Sequence, residues 1–166
     1  MADTIFLLGS SRSDGNTFKT VMKLMAGEMC QILDLNDFNV TPFDYEHRNE
    51  KDDFEEVITV LLGYRTIVFA TPVYWYSMSA QMKIFFDRTS DLITVSKPLG
   101  RALAGRETFL VSTGTEETLP EGFEVPFRRT SNYFNMNYCG SFYVNINKEW
   151  SGIEFLKFKK RLFNHA

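Results

Sequence analysis

Residues 4–17 read Thr4-Ile5-Phe6-Leu7-Leu8-Gly9-Ser10-Ser11-Arg12-Ser13-Asp14-Gly15-Asn16-Thr17. The first five form a short, largely apolar run that stops at a glycine, as a strand buried on both faces does. A polar turn follows. Beyond it, Phe18, Val21, Met22, Met25 and Met29 recur at the spacing of one helix face. Strand, polar turn and helix make the opening half of a βαβ unit.

The same alternation continues outward. Gln31 to Leu35, Thr66 to Ala70, Thr108 to Val111 and Tyr138 to Ile146 read as further strands. Phe54, Val57, Ile58, Leu61 and Leu62 mark a second helix, with Gly63 as its stop signal. A third helix is expected from Ser79 to about Asp91. A fourth is expected over residues 121–135, where Pro126 is tolerable only in the first turn. The last, from Ile153 to Phe163, ends in Lys and Arg, which suits the helix dipole. Five strands alternating with five helices predict an α/β fold, a three-layer, doubly wound parallel five-stranded sheet. One domain over residues 1–166 is the expectation from length.

Composition narrows the function. Hydrophobic residues make up 44% and charged residues 23% of the chain, the balance of an ordinary globule and not of a disordered segment. A net charge of −3 supplies no basic field, so no nucleic-acid partner is expected. No apolar run is long enough to span a bilayer, and no signal peptide is evident, so a cytoplasmic protein is expected. Cys30 and Cys139 read as buried free thiols of a reducing compartment. With only His47 and His165 beside them, no zinc or iron–sulfur centre is expected.

In doubly wound sheets, ligands bind beyond the carboxyl ends of the strands, at the point where strand order reverses. Three loops therefore matter. The first, Gly9 to Thr17, is crowded with hydroxyls and carries two glycines and Arg12. It is no Walker loop, which has four residues between its glycines and then Lys; here five intervene and Asn16 follows. Nor does it contain the G-x-G-x-x-G of dinucleotide folds. Backbone N–H groups at a helix start, hydroxyls and one guanidinium suit a single terminal phosphate. The helix cap is expected at Asn16 or Thr17.

The second loop, Thr71-Pro72-Val73-Tyr74-Trp75-Tyr76-Ser77-Met78-Ser79, presents three consecutive aromatics that cannot all enter one core. Its stiffened turn suits a flat heteroaromatic ring. In the helix after it, spacing assigns Met78, Met82, Phe85 and Phe86 to the core, and Lys83, Asp87 and Arg88 to helix-surface or intrahelical pairs. The third loop, Ser112-Thr113-Gly114-Thr115, offers small polar groups and close backbone approach. A phosphate cradle and a ring platform at one rim describe a mononucleotide, and FMN fits best.

Gly9 to Thr17 resembles the phosphate loop of the NAD(P)H-dependent FMN reductase family of flavodoxin-like proteins. Thr71 to Arg88 (T-P-V-Y-W-Y-S-M-S-A-Q-M-K-I-F-F-D-R) is similar to that family's flavin loop and following helix, and is the more specific signature. The resemblance implies the flavodoxin-like strand order 2-1-3-4-5 and bound FMN. It implies a phosphate held by Ser10, Arg12, Asn16 and Thr17 around Gly15, a ring lying along Pro72, Val73, Tyr74 and Trp75, and a border at Thr113 and Gly114. Relatives resembling iron–sulfur flavoproteins carry cysteines between strand two and helix two; residues 37–51 hold none. That long connection reads as a surface loop packed on its own aromatics, with Phe43, Tyr45 and His47 able to reach a neighbouring subunit or cover the flavin.

With FMN bound, the cofactor carries the difficult chemistry and no catalytic side chain is required. Backbone N–H groups of residues 113–115 are candidates to face the ring's N1–C2 carbonyl edge. The expected activity is NADH or NADPH oxidation with transfer to a small acceptor such as a quinone or free flavin. A non-enzymatic, flavodoxin-type electron carrier is the alternative, though such carriers steer with stronger surface charge. A response-regulator module needs aspartates where Gly9-Ser10 and Ala70-Thr71 stand. A homodimer is expected from the resemblance and from aromatics expected to be exposed, such as Tyr76 and Trp150.

Overall fold

The computed structural model describes residues 3–49, 51–148 and 150–163; His165 lies outside them. The strands are β1 (Thr4–Leu8), β2 (Cys30–Asp34), β3 (Thr66–Pro72), β4 (Glu107–Gly114) and β5 (Asn137–Asn145). The helices are α1 (Asn16–Met25), α2 (Phe54–Leu61), α3 (Ala80–Arg88), α4 (Asp91–Thr94), α5 (Lys97–Ala102), α6 (Val125–Tyr133) and α7 (Gly152–Phe163). All neighbouring strands are parallel, in the order β2-β1-β3-β4-β5. This is the flavodoxin-like α/β order, with layers of helices on both faces.

Alternation along the strands divides the core. Phe6, Leu8, Val68, Phe109 and Val111 face α1 and α7, packing on Val21, Leu24 and Phe158. Ile5, Leu7, Ile67, Phe69 and Leu110 face α2, α3 and α6, packing on Val57, Ile58, Phe85 and Phe127. Met78, Met82, Phe85 and Phe86 are buried, as helical spacing requires. Pro126 lies in the first turn of α6, where its missing N–H has no helical partner to lose.

Several expectations need correction. Helix α1 ends at Met25, so Met29 falls beyond it, just before β2, and is 73% exposed. The helix expected to reach Asp91 stops at Arg88, and two short helices, α4 and α5, follow before β4. Strands β3 and β4 run further than their apolar runs, because Thr71, Pro72, Ser112 and Thr113 continue the pairing as buried residues. Cys30 and Cys139 are free but only half-buried. Trp150 is half-buried too, packed on Phe142 and Phe155 with Lys23 over its ring, whereas Tyr76 is exposed.

The largest correction concerns Arg88. It is 2% exposed, not a surface residue. Its guanidinium donates to Asp91 at 2.7 Å, to the Thr41 carbonyl at 3.0 Å and to Asp52, and it lies over the Phe54 ring. His47 Nδ1 reaches the same Asp91 at 3.2 Å. The cluster pins the 38–53 connection against α3 and α4, while Phe43 packs edge-on against Tyr45 and His47. By contrast, Lys83 and Asp87 form the expected i,i+4 pair at 2.6 Å.

Burial alone would raise the Asp52 carboxyl, but hydrogen bonds from Arg88, Thr41 and the Phe54 N–H overcome it and hold Asp52 below its ordinary value. A depressed carboxyl contributes stability above its unfolded pKa and loses it as pH falls through the folded value. Arg88→Met should therefore leave carboxylates buried without a counter-charge and cost about 3–5 kcal/mol at neutral pH. The loss should shrink near pH ~4, where the unfolded carboxyls protonate. Urea unfolding of both proteins at the two pH values measures it; a loss under about 1 kcal/mol, or one independent of pH, would contradict this role.

Candidate functional site

The parallel register brings the three loops to one rim, and hydrogen bonds between them join them there. Thr17 Oγ1 and Thr113 Oγ1 are 2.8 Å apart and buried, linking the start of α1 to the end of β4. Ser79 Oγ donates to the Gly9 carbonyl at 2.7 Å and accepts from Met82 N–H, capping α3 while holding the first loop. Thr71 Oγ1 accepts from Ser79 N–H at 3.1 Å. Ser11 Oγ and Tyr74 Oη are 2.7 Å apart, and Val73 N–H donates to the Thr113 carbonyl at 2.8 Å. Gly9 is required by this closeness: a Cβ there would stand 2.9 Å from the Met82 side chain.

The first loop has the donors an anion needs. Helix α1 is capped by Gly15 and not by Asn16 or Thr17; no side chain occupies its cap, and its first turn holds no acid. Asn16 is exposed at the first helical position, and Thr17 turns inward to Thr113. The sequence suggested capping from hydroxyl chemistry alone, but tertiary pairing claims the Thr17 hydroxyl. Among the described residues, the backbone N–H groups of Ser11, Ser13 and Asp14 donate to no protein acceptor. Arg12 is exposed but folds over buried Gly15, its Nε 3.7 Å from where a Cβ on Gly15 would lie. The guanidinium thus sits beside the positive end of the α1 dipole, an arrangement that a bound anion stabilises.

Sequence reasoning missed Asn36. Its Nδ2 donates to the Ser10 carbonyl at 2.8 Å and to Ser13 Oγ at 3.3 Å, tying the turn after β2 to the first loop. A lone asparagine just past a strand carries no signal of that reach. Ser10 itself is buried, and its hydroxyl accepts from Arg12 N–H at 3.4 Å.

The second loop is a tight hairpin. Tyr74 and Ser77 exchange two backbone hydrogen bonds, at 2.8 and 3.0 Å, around Trp75 and Tyr76. Those two residues have φ of 48° and 64°, the type I′ geometry that Asn and Gly normally supply. Bulky residues in this region are strained. Trp75 is 93% and Tyr76 65% exposed, so burial does not repay the strain. Pro72 is buried within β3 and Val73 half-buried beside it.

In the third loop, Thr113 and Gly114 close β4. A Cβ on Gly114 would stand 2.8 Å from Tyr143 Oη and 3.2 Å from Val73 Cβ. Among the described residues, the N–H groups of Thr115 and Glu116 have no protein acceptor. A cavity of about 700 Å³ lies beside this rim, between the outer edge of β5 and α7, with Glu117, Tyr143 and Asn145 in its wall. It does not coincide with the meeting point of the three loops, whose donors are directed by local backbone and lie open at the surface. The described residues contain no group of three or more His, Cys, Asp or Glu placed to hold a metal. No described helix is long and apolar enough to cross a membrane.

Residues 3–151 match the model of the family described as NADPH-dependent FMN reductase. The chain belongs to that family. FMN and NAD(P)H are accordingly its cofactors. Among curated relatives it is 31% identical over 128 residues to an uncharacterized NAD(P)H oxidoreductase, YrkL of Bacillus subtilis (strain 168), covering 69% of this chain and 72% of the relative. It is 25% identical over 142 residues to YwqN of the same strain, named as a candidate NAD(P)H-dependent FMN-containing oxidoreductase, covering 80% of this chain and 78% of the relative. A solved structure of the Trp repressor binding protein from Bacillus subtilis superposes with a TM-score of 0.73 at 20% identity, over 98% of each chain, which shows the shared fold.

The hairpin yields a prediction independent of any ligand. Trp75→Asn combined with Tyr76→Gly installs the residue pair that type I′ turns prefer. It should raise stability by about 1 kcal/mol and increase Tm. A fall in Tm on calorimetric melting would show that these exposed aromatics are not held at a conformational cost.

Proposed function

We propose that this chain, as one domain over residues 1–166, binds FMN at the rim of its sheet and oxidises NADH or NADPH, passing the electrons to a small acceptor such as a quinone or a free flavin. The observation that carries the reading is the joining, by buried hydrogen bonds, of a first loop and a helix start with no side-chain cap and no acid to the β4 turn and the start of α3, with the aromatic hairpin tied to the same loop through Ser11 and Tyr74. A donor-rich anion cradle and a ring platform at one rim fit an ester of a planar heterocycle. The chemistry supplied by the cofactor is acceptance of a hydride from a nicotinamide and delivery of two electrons onward.

The protein's part is binding and electrostatics. The phosphate would lie among Ser10, Arg12, Asn16 and Thr17, with the backbone of Gly15 contributing at the helix start. The ring would lie along Pro72, Val73, Tyr74 and Trp75, bordered by Thr113 and Gly114. Donors at that border favour charge growing on the ring's pyrimidine side on reduction. The exposed faces of Trp75 and Tyr76 also offer an apolar surface to a second copy, so the protein is proposed to act as a homodimer.

Purified protein loaded with FMN should oxidise NADH or NADPH in the presence of a quinone. Absence of turnover with both nucleotides, FMN being bound, would contradict the enzyme and favour an electron carrier. Arg12→Ala should raise the Kd for FMN tenfold or more, the size of about 1.5–3 kcal/mol for a charge-assisted hydrogen bond, with little change in Tm. An unchanged Kd would remove Arg12 from the site. Light scattering should give twice the chain mass; a monomer mass would contradict the dimer.

A further inference from the structure

At the end of β4 the carbonyls of residues 113–116 all accept hydrogen bonds, while the N–H groups of Thr115, Glu116 and Glu117 have no acceptor among the described residues. The Thr113 carbonyl accepts from Val73 N–H and the Gly114 carbonyl from Ile146 N–H at 2.9 Å. The Glu116 carbonyl accepts twice, from Tyr143 Oη at 3.0 Å and from Asn145 Nδ2 at 2.9 Å, and Asn145 Nδ2 also lies 3.5 Å from the Thr115 carbonyl. Asn145 is itself held, its Oδ1 accepting from Asn147 N–H at 2.9 Å. Both side chains come from the last turn of pairing on β5, Tyr143 opposite Ser112 and Asn145 opposite Gly114.

Two hydrogen bonds on one carbonyl fix the plane of the peptide that follows it. Because a peptide plane carries its N–H opposite its C=O, anchoring the Glu116 carbonyl on β5 orients the Glu117 N–H, and anchoring the Thr115 carbonyl orients the Glu116 N–H. Among the described residues, neither the Glu116 nor the Glu117 N–H has a protein acceptor. The Tyr143 phenol also lies against Gly114, a residue of the proposed ring border. Burial raises its pKa, and the nearby Glu116 raises it further, so the hydroxyl stays protonated and remains a donor.

We infer that Tyr143 and Asn145 are positioning residues: by holding the Thr115 and Glu116 carbonyls they orient the free Glu116 and Glu117 N–H groups toward the electron-rich edge of the bound ring. This rests on the flavin reading above. Neither residue needs to touch the ring. Their effect is on the charge that grows there on reduction, so removing either should destabilise reduced cofactor more than oxidised cofactor.

Tyr143→Phe and Asn145→Ala, each loaded with FMN, test this by redox titration and by FMN binding. Both should shift the midpoint potential of bound FMN to more negative values. Each should also raise the Kd for oxidised FMN by at most roughly fivefold, the scale of one neutral hydrogen bond. Tyr143→Phe keeps the ring that packs on Gly114, so its Tm should stay close to that of the parent. An unchanged potential in both folded variants, whatever happens to affinity, overturns the inference while leaving the flavin site intact. A parent chain that binds no FMN overturns both the inference and the reading beneath it.

Discussion

Five parallel strands in register bring the ends of β1, β3 and β4 to one rim, and the site depends on that constraint. Leu8 pairs with Ala70, and Pro72 with Thr113, so the turns that follow begin within a few ångströms of one another. Proximity alone would leave three independent loops. The hydroxyls of Thr17, Thr113, Ser79 and Thr71 convert it into a joined unit, because each is buried and bonds across from one loop or strand end to another. Buried polar groups are costly unless satisfied. Once satisfied by one another they hold the loops in a single arrangement, and the cost of ordering a binding site is met on folding and not on ligand capture.

Strain and satisfaction are distributed unevenly around this rim. The helix start and the β4 turn leave N–H donors free, whereas the carbonyls of Gly9, Ser10, Thr113, Gly114 and Glu116 accept hydrogen bonds. The hairpin after β3 holds two aromatic residues at positive φ with their faces in solvent. Local rules of sequence would place Asn-Gly there. Such departures from local preference concentrate at functional sites, and here both kinds point to the same small region.

The strands were legible because residues buried on both faces must be apolar, and Thr4 to Leu8 or Thr66 to Ala70 can hardly be anything else. Their ends were less legible. Thr71 and Thr113 are polar by composition, and the distant partner that satisfies each hydroxyl lets them lie buried in the strands. The three loops that meet at the rim were readable from the strand order, and their small residues, glycines and clustered aromatics suggest the site proposed there. Asn36, Tyr143 and Asn145 were not, since their roles come from bonds spanning 23 to 29 positions in sequence. Arg88 was misread for a related reason. Its helical spacing suits a surface pair with a neighbour on its own helix, but Asp52 and Thr41 arrive from a distant connection to enclose it. Family membership then supplies what physics alone left general, namely the identity of the cofactors.

The central claim is that these joined turns recognise both ends of one ligand, an anionic ester and a planar ring. Calorimetric titration of the apoprotein with FMN and, separately, with riboflavin tests it most directly. One FMN should bind per chain, and riboflavin at least tenfold more weakly, since the cradle at the start of α1 would go unused. Equal affinity for the two, or binding of neither, would contradict it.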